Sequence, residues 1–134
     1  MSEAMDLWES IVETAEYVSQ GKDAEEYGLD FSEESVIGLD DMLEDLWGEE
    51  GPSEENWDSM VWAFGSYLAV VISKHFNGEW TRNEESGEIV FEAETAGVGL
   101  NPFSWVAKKF DTQDSLKSKY DFITNMMKED RKPQ

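Results

Sequence analysis

The chain has 134 residues, with 31 acidic against 10 basic side chains, a formal charge of −21 at neutral pH and no cysteine. That length fits one domain, and the missing thiols exclude a disulfide framework, a thiolate zinc site and a cysteine nucleophile. The charge opposes direct binding to nucleic-acid phosphates or an anionic bilayer, yet a 40% hydrophobic content with six Trp, seven Phe and four Tyr is far richer than a disordered acidic tail.

The N-terminal stretch Met1–Asp6 is acidic and lacks a basic region followed by an apolar one. No secretory leader is therefore expected, and a cytoplasmic location is. The first helix is expected over residues 3–20, where Leu7, Trp8, Ile11, Ala15 and Val18 recur at three- and four-residue steps. Gly21 ends it, and a polar loop from Lys22 to Asp30 follows. Ser32 is placed to N-cap a second helix, with Glu33 and Glu34 in the first turn. Val36, Leu39, Leu43 and Leu46 form its apolar stripe, so Asp40, Asp41, Glu44 and Asp45 are expected to point largely outward. Gly48 stops this helix and Gly51-Pro52 turns the chain.

Ser53 is placed to cap a third helix that opens on Glu54 and Glu55. Trp57, Met60, Val61, Phe64, Leu68, Val71 and Ile72 line one face, and Trp62, Tyr67 and Val70 make it apolar nearly all round. Such a helix belongs in the centre of the fold. Its longest apolar run, Met60 to Ile72, is too short to span a membrane, which takes about 20 residues. Gly65 and Ala69 leave room for a neighbouring backbone, and Asn77-Gly78 ends the helix. A hairpin is expected next, from a strand at 79–82, a loop at 83–87 and a return strand at 88–93 whose Ile89, Phe91 and Ala93 share a face. Residues 95–100 form a third strand or an irregular connection. Asn101-Pro102 opens a short helix carrying Phe103, Val106, Ala107 and Phe110. Thr112 is placed to cap the last helix, with its stripe at Leu116, Tyr120, Ile123 and Met127. Residues 1–2 and 129–134 are expected to fray.

This reads as a single α+β domain over residues 1–134: about five helices around a central apolar helix, with a small two- or three-stranded antiparallel sheet. Catalytic chemistry finds little support in it. His75 is the only histidine and sits at a helix end, where a structural or dipole-related use suffices. Asp40, Asp41, Glu44 and Asp45 offer oxygens to a hard cation, but they lack the Asp-x-Asp-x-Asp-Gly loop and read as solvated surface. Gly97-Val98-Gly99 lacks the third glycine and the Gly-Lys-Ser/Thr ending of a phosphate loop. The tryptophans stand on helix core faces or their edges, without the basic groove of a base-stacking platform. No enzyme activity, cofactor or metal is expected.

The charge is unevenly placed. Residues 1–94 hold 26 acids against three bases, Lys22, Lys74 and Arg82, whereas residues 95–134 hold five acids and seven bases. Glu33, Glu34, Asp40, Asp41, Glu44, Asp45, Glu49, Glu50, Glu54, Glu55 and Asp58 form an anionic ridge, with Trp47 as an exposed aromatic among them. Charge to steer and an aromatic to anchor suit a protein that occupies a basic surface of a protein partner. An immunity protein against a toxin, a phage-type inhibitor and a DNA mimic are variants of that mechanism, with a nucleic-acid-binding protein or toxin as partner. The alternative is a soluble housekeeping protein whose acidity is a solubility or high-salt adaptation.

Two stretches carry a resemblance. Gly65-Ser66-Tyr67-Leu68-Ala69-Val70-Val71-Ile72, followed by Lys74-His75 and Asn77-Gly78-Glu79-Trp80, resembles a G-x-Y-L-G-E-V-I, basic, G-G-x-W segment. Asn101-Pro102-Phe103 through Val106 to Lys108-Lys109, then Asp114-Ser115-Leu116, resembles an N-P-F-x-x-V-x-K-R ending followed by D-S-L. Both belong to small bacterial domain families of unknown function, and Ala69 and Lys109 depart from their Gly and Arg. The resemblance covers roughly residues 65–123 and implies an α+β fold with no catalytic residues. It also implies that Lys108 and Asp114-Ser115 are structural, tying the last two helices to the strands.

Overall fold

A computed structural model describes residues 3–48, 50–83, 85–97 and 99–132, with side chains from Leu7 onward. Five helices and a three-stranded sheet follow in the order α1 (Glu3–Ser19), α2 (Ser35–Trp47), α3 (Glu54–His75), β1 (Gly78–Arg82), β2 (Ile89–Ala93), β3 (Gly99–Leu100), α4 (Pro102–Thr112) and α5 (Leu116–Met126). The α+β expectation is met. The strands lie in the order β1-β2-β3, antiparallel throughout, with Trp80 opposite Phe91 and Phe91 opposite Leu100. Among the described residues no helix is long and apolar enough to cross a membrane.

The apolar all-round stretch of α3 is the axis, because every residue from Phe64 to Ile72 is buried. Ile11 and Ala15 of α1 close over Ala69 and Val70 on one side. Val36, Leu39 and Leu43 of α2, with Leu116, Tyr120 and Ile123 of α5, share a second cluster with Leu68, Val71 and Ile72. Each such aliphatic side chain contributes about 1.5–3 kcal/mol on burial. Gly65 sets how closely α4 can approach, since a Cβ there would collide with the Phe103 ring, which stacks on Trp62 at 5.3 Å. Tyr67 reaches across the core to the loop before α2. Its hydroxyl accepts from Phe31 N–H at 2.9 Å and donates to Ser35 Oγ at 2.7 Å. That hold, with the Phe31 ring stacked on Tyr67 at 4.8 Å, keeps Phe31 at φ 65°, a region costly for a bulky residue. His75 also serves this loop, with Nε2 3.2 Å from Phe31 O.

Two helix boundaries and one cap differ from expectation. Ser32 Oγ accepts from Ser35 N–H at 3.1 Å, but the turn it caps is of the i→i−3 type and α2 begins only at Ser35. Ser53 stands at the N-cap of α3, yet its hydroxyl accepts from the Asn56 side chain rather than from the backbone. Thr112 closes α4 instead of opening α5, because Gln113 turns left-handed at φ 64° and ends that helix. Ser115 is the cap of α5 and accepts from Ser118 N–H at 3.1 Å. Leu46, expected in the α2 stripe, is half exposed, and Met42 is buried in its place.

The C-terminal segment is the largest correction. Residues 1–2 and 133–134 lie outside the described residues, but Lys128–Asp130 form a 3₁₀ turn and Asp130 is buried. Its carboxylate accepts from Thr95 N–H at 2.6 Å and Ala96 N–H at 2.9 Å, while Asn77 N–H donates to its carbonyl at 2.7 Å. A carboxylate facing two amides anchors a tail that composition alone reads as loose. Burial works against its ionisation, but the Ala96 and Thr95 amides prevail and hold its pKa below the ordinary carboxylate value. Its stabilising effect is therefore complete above the ordinary carboxylate pKa and lost as pH falls through the lower folded value. Asp130→Asn should cost about 1.5–3 kcal/mol in urea unfolding at pH 7. The gap to the natural chain should close as the pH falls below about 4.

Candidate functional site

The twelve residues of the expected ridge divide into those the fold consumes and those it leaves to solvent. Asp40 belongs to the first group, against the expectation that it points outward. Its side chain is 10% exposed and lies between three elements. Oδ1 accepts from Leu116 N–H at 2.8 Å, and Oδ2 accepts from Lys117 N–H at 2.9 Å and Ser115 Oγ at 3.0 Å. Thus a carboxylate of α2 caps the N-terminus of α5, where unpaired amides and the helix dipole favour an anion. Lys109 of α4, itself 4% exposed, sits 3.4 Å from Asp40 and donates to Glu44 at 2.7 Å. The Ser115 contact therefore ties α5 to α2, not to the strands as the resemblance implies, and Lys109 rather than exposed Lys108 is the structural cation. The signal for Lys109 was present in its spacing, three residues after Val106 and beside Phe110, both buried.

Glu33 is likewise engaged. Tyr120 donates its hydroxyl to Glu33 at 2.8 Å and Arg131 forms an ion pair with it, which joins α5 and the C-terminal segment to the entry of α2. Burial first, and Glu33 second, push the Tyr120 hydroxyl far above the ordinary phenol range. Asp45 is exposed but accepts from the Tyr27 hydroxyl at 2.6 Å. That hydrogen bond, with smaller effects from burial and neighbouring acids, pushes Tyr27 up to about 12. Trp47 is not the exposed anchor expected. It is half-buried, edge-on to Phe64 at 6.0 Å and Phe110 at 5.5 Å, and serves the core.

The remaining members face solvent. Glu34 and Asp41 on and before α2, Glu50 in the turn, and Glu54, Glu55 and Asp58 in the first turns of α3 are all exposed, as is Glu44 beyond its bond to Lys109. Glu49 lies outside the described residues. No Lys, Arg or His occurs between Lys22 and Lys74, so no cation of this stretch offsets these carboxylates. Exposed apolar side chains accompany them on α2, at Ile37 and Leu46. Acidity is not confined to the ridge: Glu9, Glu13 and Glu16 of α1 and Glu79, Glu88, Glu92 and Glu94 around the sheet are exposed as well. Among the described residues no group of three or more His, Asp or Glu is placed to hold a metal ion.

The fold and surface define an α+β domain with an anionic helical edge. No family model, curated protein or solved structure matches the chain.

Two variants separate the roles of neighbouring acids. Asp40→Ala leaves Lys109 with one partner and the Leu116 and Lys117 amides without their acceptor, which should cost about 3 kcal/mol or more in urea unfolding. Asp41→Ala, one residue on and exposed, should stay within about 0.5 kcal/mol. In a titration followed by ¹³C NMR of the tyrosine rings, Asp45→Asn should lower the Tyr27 value from about 12 towards the ordinary phenol range.

Proposed function

We propose that the chain is a non-enzymatic binding protein whose exposed α2–α3 carboxylates occupy a basic surface of a protein partner. The observation that carries this reading is the set Glu34, Asp41, Glu50, Glu54, Glu55 and Asp58, exposed along one continuous segment with no basic residue between Lys22 and Lys74. Carboxylates left solvated around a firmly packed core raise the rate of encounter with a cationic surface without weakening the fold that displays them. Ile37 and Leu46, about half exposed on opposite flanks of α2, add apolar surface beside these acids. The partner class that fits is a nucleic-acid-binding protein or toxin, whose basic surface these acids would cover as phosphates do.

A second reading has its own support. Exposed acids on α1 and around the sheet distribute charge over other faces, which a solvent adaptation to high salt also predicts. Eight Lys against two Arg weigh against it, since extreme salt adaptation depletes Lys.

Reversing Asp41, Glu50, Glu54, Glu55 and Asp58 to Lys tests the first reading, because none of them holds the core. Affinity purification from source cells, followed by calorimetry with the purified partner, should give a stoichiometric basic protein that the reversed variant binds at least 100-fold more weakly. Association of the natural chain should also slow steeply between 50 and 300 mM salt. Undiminished binding by the reversed variant would remove the ridge from the interface. A melting temperature that rises only in molar KCl, with no partner recovered, would favour the second reading.

A further inference from the structure

β1 is the outer strand of the sheet, and only alternate residues of it pair with β2. Glu94 N–H donates to Asn77 C=O at 3.1 Å and Asn83 N–H to Glu88 C=O at 2.8 Å, which puts the odd-numbered positions on the β2 side in the continuous register. In an antiparallel ladder a residue's N–H and C=O point the same way. The backbone groups of Gly78, Trp80 and Arg82 therefore point away from β2, and no hydrogen bond reaches them among the described residues. The C-terminal segment pairs beside the preceding residues, with Lys132 N–H on His75 O at 2.9 Å and Arg131 bridged to Phe76, and none of its described residues pairs with β1. The strand carries no proline or bulge; its charged side chains are Glu79 and Arg82.

Beside this edge runs an open cleft of about 590 Å³, with part-exposed Trp8 and Trp80 as its apolar walls, buried Phe76 and Phe91 behind them, and Glu9 and Glu79 on its margin. Helix α1 forms the far wall, its Trp8 ring stacked on Trp80 at 5.9 Å. Lys132 also lines the cleft, but its ammonium already donates to Ser73 C=O at 2.7 Å. An unpaired strand edge, an aromatic lining and a helix opposite are the parts that receive an added strand: main-chain groups supply affinity and alternate side chains supply selectivity. A second copy of this chain is disfavoured as occupant, since each copy carries −21.

We propose that the open edge of β1 takes an extended segment of a basic protein partner as a fourth strand, its alternate apolar side chains seated against the part-exposed Trp8 and Trp80 rings. This surface is separate from the α2–α3 ridge and stands whether or not that ridge binds.

The probe is an acetylated, amidated octapeptide of alternating Val and Lys, titrated into ¹⁵N-labelled protein. Amide shifts should centre on Gly78, Trp80 and Arg82, with slowed hydrogen exchange there. N-methylating the backbone on one alternate set of residues should weaken binding at least tenfold, and on the other set hardly at all, because only one set faces the strand. A peptide with Ser for Val, equal in charge, should also bind at least tenfold more weakly. Arg82→Pro removes an outward N–H without touching the β2 ladder and should reduce affinity about fivefold while the β2 resonances hold. Equal binding by both methylated peptides or by the Ser peptide, shifts centred on the α2–α3 acids, or no binding would each overturn the proposal. So would a β1-mediated dimer in sedimentation. If Arg82→Pro perturbs the sheet, the methylated pair still decides the question.

Discussion

Burying a carboxylate costs several kcal/mol unless hydrogen bonds and an opposite charge replace its water, and at Asp40 the fold supplies both. Two amides and a hydroxyl from the start of α5 and the Lys109 ammonium of α4 converge on one side chain of α2. Helix α2 and the two consecutive helices α4 and α5, distant from it in sequence, are thereby held at one point, and the requirement is directional in a way apolar packing is not. With the first turn of α5 set against the middle of α2, the rest of α5 runs back along it, and Tyr120 arrives at Glu33 near the α2 entry. Arg131 joins the same carboxylate, which in turn carries the chain to the position where Asp130 meets Thr95 and Ala96.

Around that polar point the packing follows from α3. A helix buried on all sides needs covering elements on every flank, and their distances are set by small residues on the axis and on its neighbours. Gly65 admits the Phe103 ring, and Gly78 lets the Phe91 ring lie against β1, since a Cβ at either would collide with the aromatic neighbour. The tryptophans then finish the edges of this core. Trp47 and Trp57 meet Phe110 edge-on, Trp62 stacks on Phe103 and Trp8 on Trp80. Three small or polar residues do identifiable mechanical work here: Gly65 spaces a helix, Asn101 caps α4 and Ser115 caps α5.

The division of the acids has a functional consequence. Carboxylates that hold the structure are shielded and paired, and those that remain are solvated and cost the fold little, so the two groups answer to different pressures. On the proposed reading, the anionic helical edge would act at a distance and fall off with salt. The β1 edge would act only at contact, through main-chain groups that respond little to ionic strength. A partner that used both would be drawn in by the first and held by the second.

Most of the element types, the central place of α3 and the hairpin register face were legible in the residue pattern, because apolar periodicity reports local geometry directly. Asn101-Pro102 likewise marked a helix start, since cap and proline act within one turn. The net charge and its concentration before residue 95 also belong to the sequence alone. What the tertiary structure decided was which acids are free. Asp40 and Asp41 are adjacent and chemically alike, yet one is buried under α5 and the other is exposed, because the amides that claim Asp40 lie more than seventy residues away. Contacts 34 and 35 residues apart likewise hid the anchoring of Asp130. Local pattern sets what each segment can be, and long-range hydrogen bonds set which of its polar groups remain available to a partner.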